Sequence, residues 1–267
     1  MNIRKLGLHR NELIAFLSIL NIDYDVIILT EVGKCSEKYI ESIFPDYEPF
    51  YELPLENDYG GVAVFIKSEY DPVECDFKML KTCACTTCNY ENVFVEFVKN
   101  GVKSVAGGIY RHPGGNITHF SSDLEVCLSN CSKYNLALVG GDTNIDIIQQ
   151  NEAQIDYVSS FASHGFLPHI TRPTRITSHS ATLIDHLFVK CKEIDREIFS
   201  GNFFCSITDH LPNFCVIDMS KSKVTNYPRP KTRLFSEKNM LHVVDITLTA
   251  RPGLVTGKSG NLSLHPL

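Results

Sequence analysis

A chain of 267 residues with 43% hydrophobic and 21% charged side chains can bury a sizeable core, as one large domain or two small ones. Its net charge of −6 is uneven: residues 221–267 hold eight Lys/Arg against two Asp/Glu, so +6 there leaves −12 for residues 1–220. An acidic body excludes a clamp that holds nucleic acid by charge alone, and no apolar run is long enough to span a bilayer as a helix. Ten cysteines without a secretory signal read as reduced thiols of an intracellular protein.

The chain opens directly on Met1-Asn-Ile-Arg-Lys-Leu6, with no strand before it. Asn11 to Leu20 reads as an amphipathic helix, with Leu13, Phe16, Leu17 and Leu20 on one stripe. Asp25-Val-Ile-Ile-Leu-Thr-Glu31 reads as a buried strand ending in a carboxylate. The aromatic stretch Pro45–Asp58 reads as a loop and Gly60–Ile66 as the next strand. Val93–Val98 and Val102–Tyr110 form a hairpin about the Asn100-Gly101 turn signal, closed by Tyr110-Arg-His-Pro113. A helix over Phe120–Tyr134 turns Leu124, Cys127, Leu128 and Cys131 inward. A second, over Ile155–His164, stops at Gly165. Then come a polar loop at 168–181, a strand at Leu183–Val189, a loop at 200–212 and a last strand at Phe214–Ile217. Strands and helices alternate, yet several strands are joined by tight turns, which predicts mixed sheets. After Ser220 the composition turns basic, then rich in Pro, Thr and Gly. Residues 1–220 are therefore expected to form the domain, and 221–267 a poorly ordered basic tail.

Chemistry-bearing residues gather at the strand ends. In Leu136-Ala-Leu-Val-Gly-Gly-Asp-Thr-Asn144, four apolar residues read as a buried strand and two glycines permit a sharp turn. Asp142 and Asn144, two apart, would share one side of an extended backbone, where α/β proteins tend to place ligands. Glu31, Tyr110, Asp185, Asp209 and His210 end other strands. Converging on one edge, they would offer hard oxygen ligands for Mg²⁺ or Mn²⁺ and a histidine. The lack of a Cys/His set among them argues against catalytic zinc. Cys83-Ala-Cys85-Thr-Thr-Cys88 lacks the fourth ligand and paired spacing of a structural zinc site. His9, His112, His164, His169 and His179 read as loop or surface residues, whereas Arg111, Arg172 and Arg175 are candidate phosphate contacts.

Eight short motifs then occur in order: Asn2-Ile-Arg-Lys-Leu6, Leu29-Thr-Glu31, Gly60-Gly-Val-Ala63, Tyr110-Arg111, Gly141-Asp-Thr-Asn144, Thr171-Arg-Pro-Thr-Arg175, Leu183-Ile-Asp-His186 and Thr208-Asp-His210. Over residues 1–218 this set resembles the endonuclease/exonuclease/phosphatase superfamily. More narrowly, it resembles the apurinic-type endonuclease domain of non-LTR retrotransposons, chiefly through the Pro-Thr-Arg run before Ile-Asp-His. The resemblance implies a four-layer α/β sandwich of two packed mixed β-sheets flanked by helices, with the first strand missing. It implies that Glu31, Asn2 and Asp209 hold the Mg²⁺ or Mn²⁺ site, and that Asp142 prepares the attacking water with Asn144 orienting it. Tyr110 would contact the phosphate, His210 would stabilise charge on it, and Asp185 would orient His210. Arg111, Asn144 and Arg175 would bind substrate.

The implied reaction nicks chromosomal target DNA and leaves a 3′-hydroxyl that primes reverse transcription. A nuclear monomer is expected. The rivals are a same-scaffold hydrolase of another phosphate ester, such as a phosphomonoester, RNA or lipid head group, and an inactive remnant that binds nucleic acid or protein. Three departures stand out. The absent first strand would leave a sheet edge bare and Asn2 on a fraying terminus. Thr143 stands where relatives commonly carry a bulky aromatic, and Thr208 where Ser is commoner. Pro228-Arg-Pro-Lys-Thr-Arg233 with Phe235-Ser-Glu-Lys238 resembles the start of a connector to a reverse transcriptase. No polymerase follows, so a truncated element copy with unrelated sequence after residue 240 is expected.

Overall fold

The computed structural model describes residues 1–54, 58–79, 90–193 and 196–219. The Cys83–Cys88 stretch and the basic segment at 221–267 lie outside the described residues.

The longest local structure starts at Asn100-Gly101, where both residues take positive φ (51° and 76°), as a tight hairpin turn demands. The turn joins β5 (Tyr90–Lys99) to β6 (Val102–Arg111) in antiparallel register from Lys99↔Val102 to Tyr90↔Arg111. From β6 the chain passes through α3 (Ile117–Asn130), capped by the Asn116 side chain accepting from the His119 amide, into β7 (Leu136–Asp142). β7 lies parallel to β6. After α4 (Glu152–Ser163) and the short β8 (Leu167–Pro168), β11 (Asp185–Cys191) returns antiparallel to β7 with Asp185 directly opposite Asp142. With β4 (Val73–Glu74), these strands make a six-stranded mixed sheet in the order β4-β5-β6-β7-β11-β8.

A second sheet has the order β1-β3-β2, from β1 (Val26–Thr30), β3 (Val62–Lys67) and β2 (Tyr47–Glu52), all antiparallel. Helices α1 (Leu6–Leu20) and α2 (Glu37–Glu41) complete this half. Two-stranded pairs are formed by β9 (Arg175–Ile176) with β10 (Ala181–Thr182), and by β12 (Ile198–Asn202) with β13 (Asn213–Ile217).

Three apolar clusters between the elements define four layers. Ile3, Leu6 and Leu13 meet Leu29, Ala63, Phe65 and Ile40 between the α1/α2 side and the smaller sheet. Val62, Val64 and Ile66 of β3 meet Val93, Val95 and Phe97 of β5 and Ala106 of β6 between the sheets. Phe120, Leu124, Cys127 and Leu128 of α3 and Tyr157 and Phe161 of α4 cover the far face of the larger sheet. Each such fully buried side chain contributes roughly 1.5–3 kcal/mol of transfer free energy. The α/β sandwich of packed sheets is as expected.

Details differ from the sequence reading. β2 lies inside the stretch read as loop, because Pro49, Phe50 and Tyr51 pair with β3 and stay half-buried. The smaller sheet is antiparallel apart from one parallel bridge, Asn2↔Thr30. The fraying expected of Asn2 is also corrected. Thr30 donates to Met1 O and Ile3 donates to Thr30 O, both at 2.9 Å, and Asn2 is fully buried. Helix α1 begins five residues earlier than Asn11, since Leu6 enters the same core as Leu13.

Candidate active site

Three strand ends build the site. β7 carries Asp142 just after Gly141, whose φ is 145°; a Cβ there would sit 1.9 Å from the Ile109 carbonyl, so only glycine lets β7 approach β6 this closely. β11 carries Asp185 opposite Asp142, which places both side chains on one face of the sheet. β1 hands over to Glu31, held at a positive φ of 52°, a strained conformation of the kind concentrated at functional sites.

The Asn2 amide joins these elements. Its Nδ2 donates to Glu31 Oε1 and to Asp142 Oδ2, each at 2.8 Å, while its Oδ1 accepts from the Arg4 amide at 3.0 Å. Tyr110 donates to the same Glu31 oxygen at 3.2 Å. Burial, then the charge of Glu31, raise the Tyr110 phenol far above its ordinary range, so it remains a protonated donor. His210 Nδ1 lies 2.8 Å from Asp185 Oδ2 and 3.9 Å from Asp142 Oδ2. A proton on Nδ1 shared with Asp185 leaves Nε2 as the working nitrogen.

The charges are tightly coupled. Burial first, and the neighbouring Asp185 second, push the Asp142 carboxyl up to about 7 against the opposing pull of His210 and Asn2. Burial would lower His210, but its hydrogen bond to Asp185 and three nearby carboxylates outweigh that, and its pKa is raised. Burial and Asp185 together favour the protonated form of the Asp142 carboxyl.

The donor set suits a divalent cation. Asp142, Asp185 and His210 each offer a ligand atom within 4.8 Å of the others, and the buried Asp185 Oδ1 has no hydrogen-bond partner among the described residues. Two carboxylates and one imidazole can hold a divalent cation. Of the expected ligands, Glu31 borders this cluster through Asn2. Asn2 itself is committed to bridging two carboxylates. Asp209 is engaged by Arg4 at 2.7 Å and Arg175 at 2.9 Å, so a metal would have to displace a guanidinium. Burial raises Asp209, yet the Arg175 and Arg4 contacts bring it below the usual carboxylate range.

Two expectations are corrected. Asn144 does not share an extended backbone with Asp142. It sits at φ 51°, its Nδ2 donates to Arg111 O at 2.7 Å, and its amide donates to Asp142 Oδ1 at 2.9 Å, so it positions Asp142. Arg111 is not at a substrate surface: its 3%-exposed side chain donates to the carbonyls of Thr143, Asn144 and Gly115 and lies over Phe120, bracing the Asp142–Asn144 turn. His112 lies in the loop after β6, as expected, and there its Nε2 lies 3.0 Å from Glu91 Oε1 and its ring meets Tyr110 edge-on at 4.8 Å. Arg175, by contrast, keeps a partly exposed side chain beside Asp209.

Thr174 was missed as a site residue. It is fully buried, and its Oγ1 accepts from the amides of Ile184 (3.2 Å) and Asp185 (2.9 Å). Its carbonyl accepts from the Leu211 amide, so one residue ties the Asp185 strand to the His210 loop. Its signal was the Pro-Thr-Arg run itself, whose middle residue had been given no task. Thr143, buried beside His186 Nδ1 at 3.1 Å, fills its position by a hydrogen bond where bulk had been expected.

No family model and no curated protein matches the sequence. Solved structures do. The endonuclease domain of TRAS1, a telomere-specific non-LTR retrotransposon, superposes with a TM-score of 0.63 at 13% identity over 83% of this chain and 97% of that one. An endonuclease/exonuclease/phosphatase protein from Bacteroides vulgatus gives 0.61 at 12% identity, covering 81% and 96% of the two chains. A 3′ phosphatase from Neisseria, bound to a product DNA hairpin, gives 0.58 at 13% identity over 81% and 97%. The chain therefore has the endonuclease/exonuclease/phosphatase fold.

Proposed function

We propose that the chain is a divalent-metal-dependent phosphodiesterase that nicks DNA and leaves a 3′-hydroxyl, in the manner of a retrotransposon endonuclease. One observation carries this reading: Asn2 hydrogen-bonds Glu31 and Asp142, His210 hydrogen-bonds Asp185, and a 3.9 Å charge contact between His210 and Asp142 joins the two groups across both sheets. That network supplies what in-line attack on a phosphodiester needs. Asp142, raised toward neutrality by burial and Asp185, accepts the proton of the attacking water. His210, oriented by Asp185, presents Nε2 to a non-bridging phosphate oxygen as charge grows there. Tyr110, whose hydroxyl donates to Glu31, would turn that proton to the phosphate when substrate binds. A Mg²⁺ or Mn²⁺ ion held at Glu31, which leaves Asp142, Asp185 and His210 to their proton and hydrogen-bond roles, would neutralise phosphoryl charge.

Similar solved structures include a retrotransposon endonuclease domain and two that hold DNA products; these support DNA as the substrate here. The buried, doubly bonded Asn2 counts against an inactive remnant. The test is nicking of supercoiled plasmid with Mg²⁺, with EDTA, and with Asp142→Ala. Metal-dependent nicking lost in the variant is the expected result. A folded chain silent on plasmid but active on another phosphate ester would replace DNA with that substrate.

A further inference from the structure

Beside this network stands an aromatic residue with no task in the chemistry. Tyr59 is 62% exposed, yet it sits on a segment fixed on several sides. Gly33 donates to Gly60 O at 2.8 Å and Val32 donates to Gly61 O, binding the segment to the chain just after Glu31. The Gly61 amide donates to Glu91 Oε2 at 3.2 Å, and Glu91 Oε1 is held by His112. A Cβ on Gly60 would come within 2.8 Å of the His112 ring, so the glycine lets the His112–Glu91 pair press directly against the loop. Lys5 places its ammonium 4.4 Å from the Tyr59 ring centroid, and the Lys5 amide donates to Glu31 O at 2.7 Å. Ring, cation and Glu31 thus share one rigid rim.

A rigid, solvent-facing aromatic with a cation at its side, next to a phosphodiester site, has the chemistry of a base-stacking platform. Bases stack on aromatic faces irrespective of sequence, and an adjacent lysine meets the phosphate that accompanies the stacked base. A mere surface tyrosine needs neither the braced loop nor the ammonium over its ring.

We propose that Tyr59 and Lys5 form a subsite for one unstacked nucleotide flanking the scissile phosphate, Tyr59 stacking on its base and Lys5 facing its phosphate. The subsite rests on the DNA-cleaving reading and deepens it, because it favours single-stranded or locally opened DNA over an intact duplex.

The experiment measures binding without turnover. Asp142→Asn protein is titrated into a fluorescein-labelled single-stranded oligonucleotide, and into a chain of equal length built wholly from abasic tetrahydrofuran units, by anisotropy in Mg²⁺. Adding Tyr59→Ala should weaken binding to the normal oligonucleotide roughly 5- to 150-fold and leave binding to the abasic chain unchanged. Tyr59→Phe should restore affinity and Tyr59→Leu should not. The salt dependence should be unaltered by Tyr59→Ala but less steep by about 0.7 in log–log slope for Lys5→Ala. Equal loss on both oligonucleotides, or no loss on either, would overturn the platform while leaving the nuclease reading intact. A folded protein that binds neither oligonucleotide would overturn the platform, and the plasmid-nicking assay would then decide the nuclease reading separately.

Discussion

Asp142 should be a residue whose removal makes the protein inactive and more stable at once. It is 1% exposed, faces Asp185 across the β7–β11 ladder, and its carboxyl is lifted from 3.8 to about 7 by burial and that neighbour. The sign follows from linkage: a carboxyl whose folded value is raised stabilises the fold while protonated, and loses that stability as pH rises through the raised value. Full ionisation then costs the fold about 4 kcal/mol, an upper bound because His210 shares the charge. Asp142→Asn removes this cost but gives up one acceptor for the Asn2 amide, worth about 1 kcal/mol. The net expectation at pH 8.5 is a gain of about 1–2 kcal/mol, or roughly 2–8 °C in Tm. At pH 5 only the part of this cost that accrues between 3.8 and 5, from ionisation of the unfolded chain, remains, so the gain should shrink toward zero. The assay is differential scanning fluorimetry of both proteins in EDTA across pH 5–9, beside plasmid nicking. A variant less stable than wild type at pH 8.5, or a gain that does not shrink on acidification, would refute the electrostatic reasoning.

Other residues give separate tests. Thr174→Val keeps the shape but leaves the Ile184 and Asp185 amides without their acceptor; urea unfolding should show a loss of about 1–3 kcal/mol, and nicking should fall further than the folded fraction does. Arg111→Met, which strips a buried guanidinium from three carbonyls, should cost about 2 kcal/mol or more; if KM rises with stability unchanged, Arg111 touches substrate after all. Asn2→Ala removes the donor shared by Glu31 and Asp142, so nicking should drop at least about tenfold. Unchanged nicking would show that the network is not needed to align the site. The raised pKa of His210 makes its ion pair with Asp185 a stabilising term present below pH 6.5 and lost as pH rises through the folded value. His210→Asn should flatten that part of the stability–pH curve, read by fluorimetry.

Much of this architecture is legible along the chain. Apolar runs such as Val26–Leu29 and Leu136–Val139 announce strands, the first only half-buried, and Asn100-Gly101 announces its hairpin, because these signals depend on residues adjacent in sequence. The polar residues at strand ends, and their order, marked Glu31, Asp142, Asp185 and His210 as candidates without any distance in hand. The strand β2 escaped, since its residues are aromatic and only half-buried and its partner β3 decides its state.

What each candidate does was decided in three dimensions. Whether Asp185 faces Asp142 depends on the register of β11 against β7, and a shift of one residue would turn the carboxylates to opposite faces. Arg111 turned inward because three carbonyls of the neighbouring turns lie within its reach, and Asn144 took a left-handed conformation that aims its amide at Asp142. Asn2 is ordered because β1 offers it a ladder and two carboxylates offer it acceptors. Sequence determined which groups were available for the chemistry. Burial, register and hydrogen-bond competition assigned their protonation and partners, because these depend on neighbours far apart in the chain.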